Sequence, residues 1–418
     1  MTPIYYRKVL NSPRVAITGL GVVSAFGLGR QKYWDAVSRG KSGVRAMNGL
    51  NLAPGACRIA APVPDEGLGG DDEPRRAAKV SKIAVLAARE ALADAGIVPG
   101  DVPDLGVIVG SGAGGIDVAE RQYGDYYAGD YHRVSPYAIP VSIVGIVSSE
   151  ISIALGLRGI SHVLSTGCTS STDAIGYAAS MIRHGEAEVL LTGGADACVT
   201  PGMLFGFSRM RAVATKFNDR PTEASRPFDR LREGFVLGEG AWLMTLESEA
   251  RARARGAKVY AYVDGYASTC DAYHRVQMDP EGTEIVRAMT LAIERSGRTP
   301  ADIGYVNFHG TSTQLNDAVE AQCVSRLFIG NAEPVCGSST KSMIGHPQGA
   351  SGAAGIVATV LGMSHDLLPP TINLTDPDPA CANLDFIPNV ARERRVDAAL
   401  CNCLGFGSKN TAIVVSRA

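Results

Sequence analysis

A chain of 418 residues is long enough for one large domain or two of moderate size around a substantial core, and 45% hydrophobic with 20% charged residues is ordinary for a soluble globular protein. A formal net charge of −2 excludes a global basic field, and with it charge-driven binding to nucleic acid or a membrane surface. No apolar run reaches the length of a membrane span, Met1 to Pro13 lack the apolar core of a signal peptide, and nine cysteines without zinc spacing read as reduced thiols in a cytoplasmic protein.

The 48 glycines fall in short clusters between apolar runs, which predicts tight turns and close backbone approaches. Val15 to Ser24 reads as a strand running into a glycine turn; Gly19-x-Gly21 lacks the third glycine of a dinucleotide loop and reads as structural. Arg75 to Ile97 carries a helical apolar face of Val80, Ile83, Ala84, Ala87, Leu92 and Ala95. Its opening turns hold Arg75, Arg76, Lys79 and Lys82, either a solvated face or a docking patch for an acidic partner. Leu105 to Val109 is a buried-type strand ending in the glycine-rich run 110–115. Ile160 to Leu164 reads as a strand, Ala174 to Ile182 as a helix stopped at His184-Gly185, and Val189 to Gly194 as a strand. Pro201 to Arg220 reads as loop-rich, 238–246 as strand and Glu247 to Gly256 as helix. Near Lys258 a second series begins: strand 259–266, helix 283–296, strand 304–308, helices 317–328 and 349–363, and strands near 399–404 and 411–416. Strands alternating with helices define an α/β class of sheets between helical layers.

Three residues could carry chemistry. Cys168 sits on a turn opening a mostly apolar helix, where unpaired N–H groups and the helix dipole favour a thiolate. His309 follows a strand and is surrounded by hydroxyls; His346 precedes the small-residue helix that begins at Gly349. Each alone has a plain reading, a small buried cysteine or a hydrogen-bonded core histidine. Together they suggest a cysteine nucleophile with histidines to move protons, provided they converge in space.

The motifs resemble the β-ketoacyl-acyl-carrier-protein synthase family of the thiolase superfamily, nearest its synthase II branch. The matching residues are Gly167-Cys168-Thr169-Ser170, Ser225-Arg226-Pro227-Phe228-Asp229, Gly234 to Ala241, His309-Gly310-Thr311-Ser312-Thr313, Lys341-Ser342-x-x-Gly345-His346, Pro369 to Leu374 and Gly405-Phe406-Gly407. The resemblance covers the chain from about Arg14 onward. It implies a thiolase-like fold of two pseudo-duplicated halves, 1–256 and 257–418, in five layers, αβαβα. It implies a decarboxylative Claisen condensation in which Cys168 holds the acyl chain and His309 and His346 stabilise the enolate. Lys341 and Glu320 resemble an ion-paired set that orders the histidines, with a plain structural salt bridge as the other reading. The N–H groups of Cys168 and Phe406 match the oxyanion hole, Thr311 and Thr313 the hydroxyls that hold the phosphopantetheine arm, and Phe406 a gate. No metal or bound cofactor is implied, since the substrates ride on phosphopantetheine. The implied partners are an acyl-carrier protein, for which Arg75, Arg76, Lys79 and Lys82 become docking candidates, and a second subunit in a homodimer or a heterodimer with a chain-length factor.

Departures surround the implied pocket. Gly407 is followed by Ser408-Lys409-Asn410, Gln314 follows Thr313, Pro347-Gln348 follow His346, and Ala113 stands where the resemblance implies a bulkier residue at the pocket floor. They favour the ketosynthase of a type II polyketide or polyene pathway over ordinary fatty-acid elongation. The intact Cys168, His309 and His346 argue against a non-catalytic chain-length or scaffold subunit, and a second histidine in place of a second cysteine argues against a coenzyme A thiolase.

Overall fold

The computed structural model describes residues 13–69, 77–102, 104–331, 334–381 and 384–418. The first half contributes strands β1 (Val15–Ser24), β2 (Gly106–Gly110), β3 (Ser161–Leu164), β4 (Val189–Asp196) and β5 (Gly240–Ser248). The second contributes β6 (Ala261–Cys270), β7 (Tyr305–Asn307), β8 (Cys336–Ser338), β9 (Asp385–Phe386), β10 (Ala398–Gly405) and β11 (Lys409–Arg417). The principal helices are α1 (Lys79–Asp94), α2 (Ile116–Tyr127), α3 (Ile146–Leu155), α4 (Ser170–Arg183), α5 (Pro201–Arg209), α6 (Thr283–Arg295), α7 (Gln314–Leu327) and α8 (Ser351–His365).

The strand order is β9-β8-β7-β10-β11-β6-β1-β5-β4-β2-β3. Outward from the middle, β1, β5, β4, β2 and β3 repeat the directions of β6, β11, β10, β7 and β8: two antiparallel steps, then two parallel ones. The two sheets are sewn together at one short seam, where Val15, Ala16 and Ile17 pair with Val263, Tyr262 and Ala261. All ten residues of β1 are buried, which fits a strand covered on both faces.

Close helix–sheet contact explains glycines that the sequence left as a turn. A Cβ on Gly19 would lie 2.1 Å from Ala91 O and one on Gly21 1.9 Å from Ala87 O, so both glycines let α1 settle on β1 within an unbroken strand. The second half repeats the device, since a Cβ on Gly265 of β6 would lie 2.0 Å from Ala292 O of α6. Between the sheets, α4 and α8 touch directly: a Cβ on Gly352 would lie 1.8 Å from Thr172 Oγ1, and Ala353 N–H donates to Ser171 Oγ at 2.9 Å. Residues 351–363 are buried throughout, which accounts for the small-residue composition of α8.

Several boundaries differ from the sequence reading. The described part of the first long helix begins at Lys79, and Arg75 and Arg76 lie outside the described residues. Pro201–Arg209 is helical within the stretch read as loop, because Thr200 Oγ1 accepts from Met203 N–H and Pro201 occupies a first-turn position that needs no donor. Glu247 lies within β5, and the short helix after it starts at Glu249 with Ser248 as its cap. Helices α2 and α3 were not anticipated; α2 buries Val118 and Gln122 and exposes Tyr123, Tyr126 and Tyr127, and α3 buries Val147, Ser148 and Ile151 but leaves Ile153 exposed, so neither shows a clean one-sided apolar stripe. Among the described residues no helix is long and apolar enough to cross a membrane.

Candidate active site

Cys168 lies in the single 3-10 turn, Gly167–Thr169, between β3 and α4. The hydroxyls around it satisfy the turn locally. Ser170 Oγ accepts from Thr166 N–H at 2.9 Å, Thr169 Oγ1 donates to Thr166 O at 2.9 Å, and Asp173 accepts from Thr169 Oγ1 at 3.0 Å and Tyr266 Oη at 2.7 Å. The hairpin between β10 and β11 closes over this turn. Gly405 permits the approach, since a Cβ there would stand 3.3 Å from Cys168 N, and the backbone amides of Phe406 and Cys168 act to lower the thiol's pKa.

His309 and His346 arrive from the second half. His309 follows β7; its N–H donates to Glu320 Oε1 at 2.7 Å and the next amide, Gly310, to Oε2 at 2.8 Å. Three residues earlier on α7, Asp317 accepts from Thr311 N–H at 3.0 Å and Phe228 N–H at 2.9 Å, so two carboxylates on one helix face shape the whole loop. His346 is held by its own backbone, N–H to Val236 O at 2.7 Å and C=O from Gly238 N–H at 3.0 Å. Its Nε2 lies 3.2 Å from Cys168 Sγ, and the two imidazole rings meet edge to face, 5.4 Å apart at 88°. Donor atoms of Cys168, His309 and His346 all lie within 4.8 Å of one another. The three residues that the sequence could only name separately form one buried cluster.

Burial dominates the electrostatics. It pushes the Cys168 thiol up to about 11, against the pull of Lys341 and the Phe406 amide, so the resting group is a thiol and not the thiolate expected from the helix start. Both imidazoles are held well below their usual range by burial and then by the Lys341 ammonium, with each other's charge adding for His309, so both are neutral. Lys341 itself is buried and its pKa lowered by desolvation, with Cys403, Glu320 and Cys168 acting to retain its charge. The direct Lys341–Glu320 ion pair is not formed. Glu320 spends its oxygens on two backbone amides and Asn402 Nδ2, and Lys341 acts on the histidines through its field.

A cavity of about 350 Å³ leads from the surface to Cys168, walled by His309, His346, Thr311, Thr313 and Phe406. Thr311 and Thr313 share a hydrogen bond of 3.0 Å, and Gln314 and Arg211 stand at the same cavity. Ala113 is not part of this wall. Its N–H donates to Asp196 Oδ1 at 3.0 Å and its methyl packs towards the cluster containing Leu204 and Phe235. Lys79 points inward, bonded to Glu239 Oε2 and Val63 O at 2.8 Å each, and its ammonium is unavailable to a docking partner.

Sequence reasoning passed over three residues of the site. Asp196, at the end of β4, accepts from Gly112 N–H at 2.8 Å, Gly349 N–H at 2.6 Å and Ser111 Oγ at 2.8 Å, tying the first half to the loop after His346. Cys403 donates to Cys168 O at 3.0 Å and lies 3.6 Å from His309 Nδ1. Ser351 Oγ lies 2.8 Å from His346 Nδ1. Only the strand-end position of Asp196 and the neighbourhood of Cys403 to Phe406 were visible signals.

A duplicated α/β fold whose turns beside the central helices bring a cysteine and two histidines to one cavity defines a condensing enzyme of the thiolase-like class. Residues 12–252 match the family described as beta-ketoacyl synthase, N-terminal domain, and residues 260–375 the corresponding C-terminal domain. The chain belongs to the β-ketoacyl synthase family. It is 38% identical over 98% of its length and 99% of the relative's to 3-oxoacyl-[acyl-carrier-protein] synthase 2 of Synechocystis. Among solved structures, a chain of the ishigamide ketosynthase/chain length factor superposes with a TM-score of 0.89 at 31% identity, covering 98% of this chain and 100% of that one. A chain from a type II polyketide synthase acyl-carrier protein in complex with its ketosynthase, bound to the hexaketide, reaches 0.90 at 29% identity with the same coverage.

Proposed function

We propose that this chain performs a decarboxylative Claisen condensation in a type II polyketide or polyene pathway, joining an acyl chain on Cys168 to a malonyl unit on an acyl-carrier protein. The observation that carries this is the buried thiol 3.2 Å from His346 Nε2, with His309 beside it, at the inner end of the cavity. Cys168 takes the acyl group as a thioester, its tetrahedral oxyanion held by the N–H groups of Cys168 and Phe406. Each such donor is worth roughly a hundredfold to a thousandfold in rate. Malonyl thioester then loses CO2, its enolate oxygen meets the neutral imidazoles of His309 and His346, and the carbanion attacks the Cys168 thioester. The electron pair for the new bond comes from the broken C–CO2 bond, so the chain needs no cofactor of its own. Thr311 and Thr313 hold the phosphopantetheine arm, and Phe406 swings as the gate.

An acyl-carrier protein and a second ketosynthase-like subunit are the proposed partners. The face formed by α2, α3 and the segment between them supports a dimer: Tyr127 is 84% exposed, Ile153 75%, and Tyr123, Tyr126, Tyr131, Ile139 and Ile143 are exposed with them. Nearby β3 is one of the two edge strands of the described sheet. The second subunit is a chain-length factor in this reading, and Arg75, Arg76 and Lys82 remain the proposed docking cations. The unbonded state of all nine cysteines fits work in the reducing cytoplasm. A 38% likeness to a synthase 2 supports the second reading, homodimeric elongation of fatty acids.

Intact-protein mass spectrometry tests the proposal, using carrier proteins loaded with chains of several lengths plus malonyl-carrier protein. An acyl adduct on Cys168, absent in Cys168→Ala, and product only when malonyl-carrier is added, are expected. Preference for poly-β-ketone or polyene chains supports the first pathway and saturated chains the second. If no carrier loads Cys168, with or without a co-purified subunit, the condensation reading fails.

A further inference from the structure

The hairpin that carries Phe406 is held from outside by one side chain. Ser408, at the turn between β10 and β11, has a φ of +62° and is 6% exposed. A left-handed backbone is costly for a residue with a Cβ and persists only where its surroundings hold it. Here the hydroxyl does the holding. Ser408 Oγ accepts from Tyr273 N–H at 3.2 Å and His274 N–H at 3.1 Å, and donates to His274 O at 2.9 Å. Each direction is fixed, because the partners are backbone amides and a carbonyl. Backbone bonds flank the hydroxyl, Asp271 N–H to Ser408 O at 2.8 Å and Gly407 N–H to Arg275 O at 2.9 Å. The hold passes on to the cavity. His274 Nδ1 accepts from Val276 N–H and Gln277 N–H at 3.1 Å each, and Val276, Gln277 and Met278 line the cavity together with Phe406. Phe406 and this stretch of wall are thus one hydrogen-bonded unit with a single hydroxyl at its centre.

We propose that Ser408 is a positioning residue for the gate: its hydroxyl staples the Phe406 hairpin to 273–277, so that Phe406 and this wall of the cavity open as one. The inference rests on the reading of Phe406 as the gate. It makes Ser408 a determinant of which chains reach Cys168. A short acyl group passes the stapled cavity, and a long one enters when the staple yields. Glycine at 408 removes the staple and relieves the backbone strain, since it adopts a left-handed φ freely. Alanine removes the staple and keeps the strain. Loss of the hydroxyl frees the gate in both, so the pair separates the hydrogen bonds from the backbone conformation.

The test compares alkylation of Cys168 in the full chain by iodoacetamide and by N-octyl iodoacetamide, read at the Cys168 peptide by mass spectrometry. Amide hydrogen exchange across 271–278 and 404–410 is followed beside it. Ser408→Ala and Ser408→Gly should each raise the octyl rate about tenfold, the worth of roughly one net hydrogen bond in an opening equilibrium, and leave the iodoacetamide rate unchanged. Amides 273–277 should exchange faster together with 406–408, while α4 keeps its protection. An unchanged octyl rate, an equal rise for both reagents, or faster exchange at 406–408 alone would each overturn the proposal. Phe406→Ala checks the gate separately and should raise the octyl rate as well. If it does not, while exchange at 273–277 still rises in the Ser408 variants, the gate reading fails and the staple stands. Alkylation needs no carrier protein, so failed carrier loading sinks the condensation reading without touching this result.

Discussion

Glu320→Gln separates the two things that this carboxylate does. Its oxygens accept from His309 N–H at 2.7 Å and Gly310 N–H at 2.8 Å, and glutamine keeps the volume but only one acceptor. One buried amide is then orphaned, at a cost of about 1–3 kcal/mol. Because that amide belongs to His309 or its neighbour, the ring is also displaced; a shift of about 1 Å costs roughly a hundredfold in rate. The charge matters separately. Burial outweighs the two amide bonds and raises Glu320 from 4.5 to about 7, so the folded state binds a proton that the unfolded chain does not. For a raised pKa the stabilisation is fully present below the unfolded value of 4.5 and is lost as pH rises through about 7, a swing on the order of 3 kcal/mol. Glutamine has no such swing. Thermal unfolding of both proteins from about pH 4.5 to pH 8, beside condensation rates at neutral pH, should show the wild-type advantage shrinking as pH rises. A constant gap across that range would refute burial as the dominant influence on Glu320, and an unchanged rate would refute its role in placing His309.

With the Cys168 thiol pushed up to about 11, the thiolate fraction at neutral pH is roughly one part in ten thousand. His346→Ala should therefore leave iodoacetamide alkylation rising steadily with pH into alkali, and a plateau below about pH 8 would show an intrinsically ionised thiol. Gly352→Ala brings a Cβ to 1.8 Å from Thr172 Oγ1 and should push α4 from α8, costing about 1–3 kcal/mol in denaturant unfolding and lowering activity with it. Paired Tyr126→Asp and Tyr127→Asp changes should shift the oligomer towards monomer in light scattering, since both rings are exposed in the single chain. Unaltered mass would move the interface elsewhere.

The resemblance was legible because its motifs are local strings. Cysteine before an apolar helix, and histidine at a strand end or before a small-residue helix, keep their character whatever the rest of the chain does. The same holds for strong elements such as β1, a mostly apolar run, and α6, whose apolar face repeats at helical spacing, each written within ten to thirteen residues. Helices α2 and α3 were missed for the opposite reason. The exposed tyrosines of α2, and Ile153 of α3 beside buried Val147 and Ile151, blur the inward stripe that would mark a helix in a single chain.

What the sequence determined by itself was the α/β class, the alternation that restarts near residue 257, and the three residues able to do the chemistry. Tertiary structure decided the rest, because the deciding contacts join distant parts of the chain: Cys168 meets His346 across 178 positions, and Asp196 meets Gly349 across 153. Only the packed interior turns Gly19 and Gly21 from a turn into a seat for α1, and directs the Lys79 charge inward. Only burial reverses the protonation expected of Cys168, since desolvation depends on everything packed around a group and on nothing next to it in sequence.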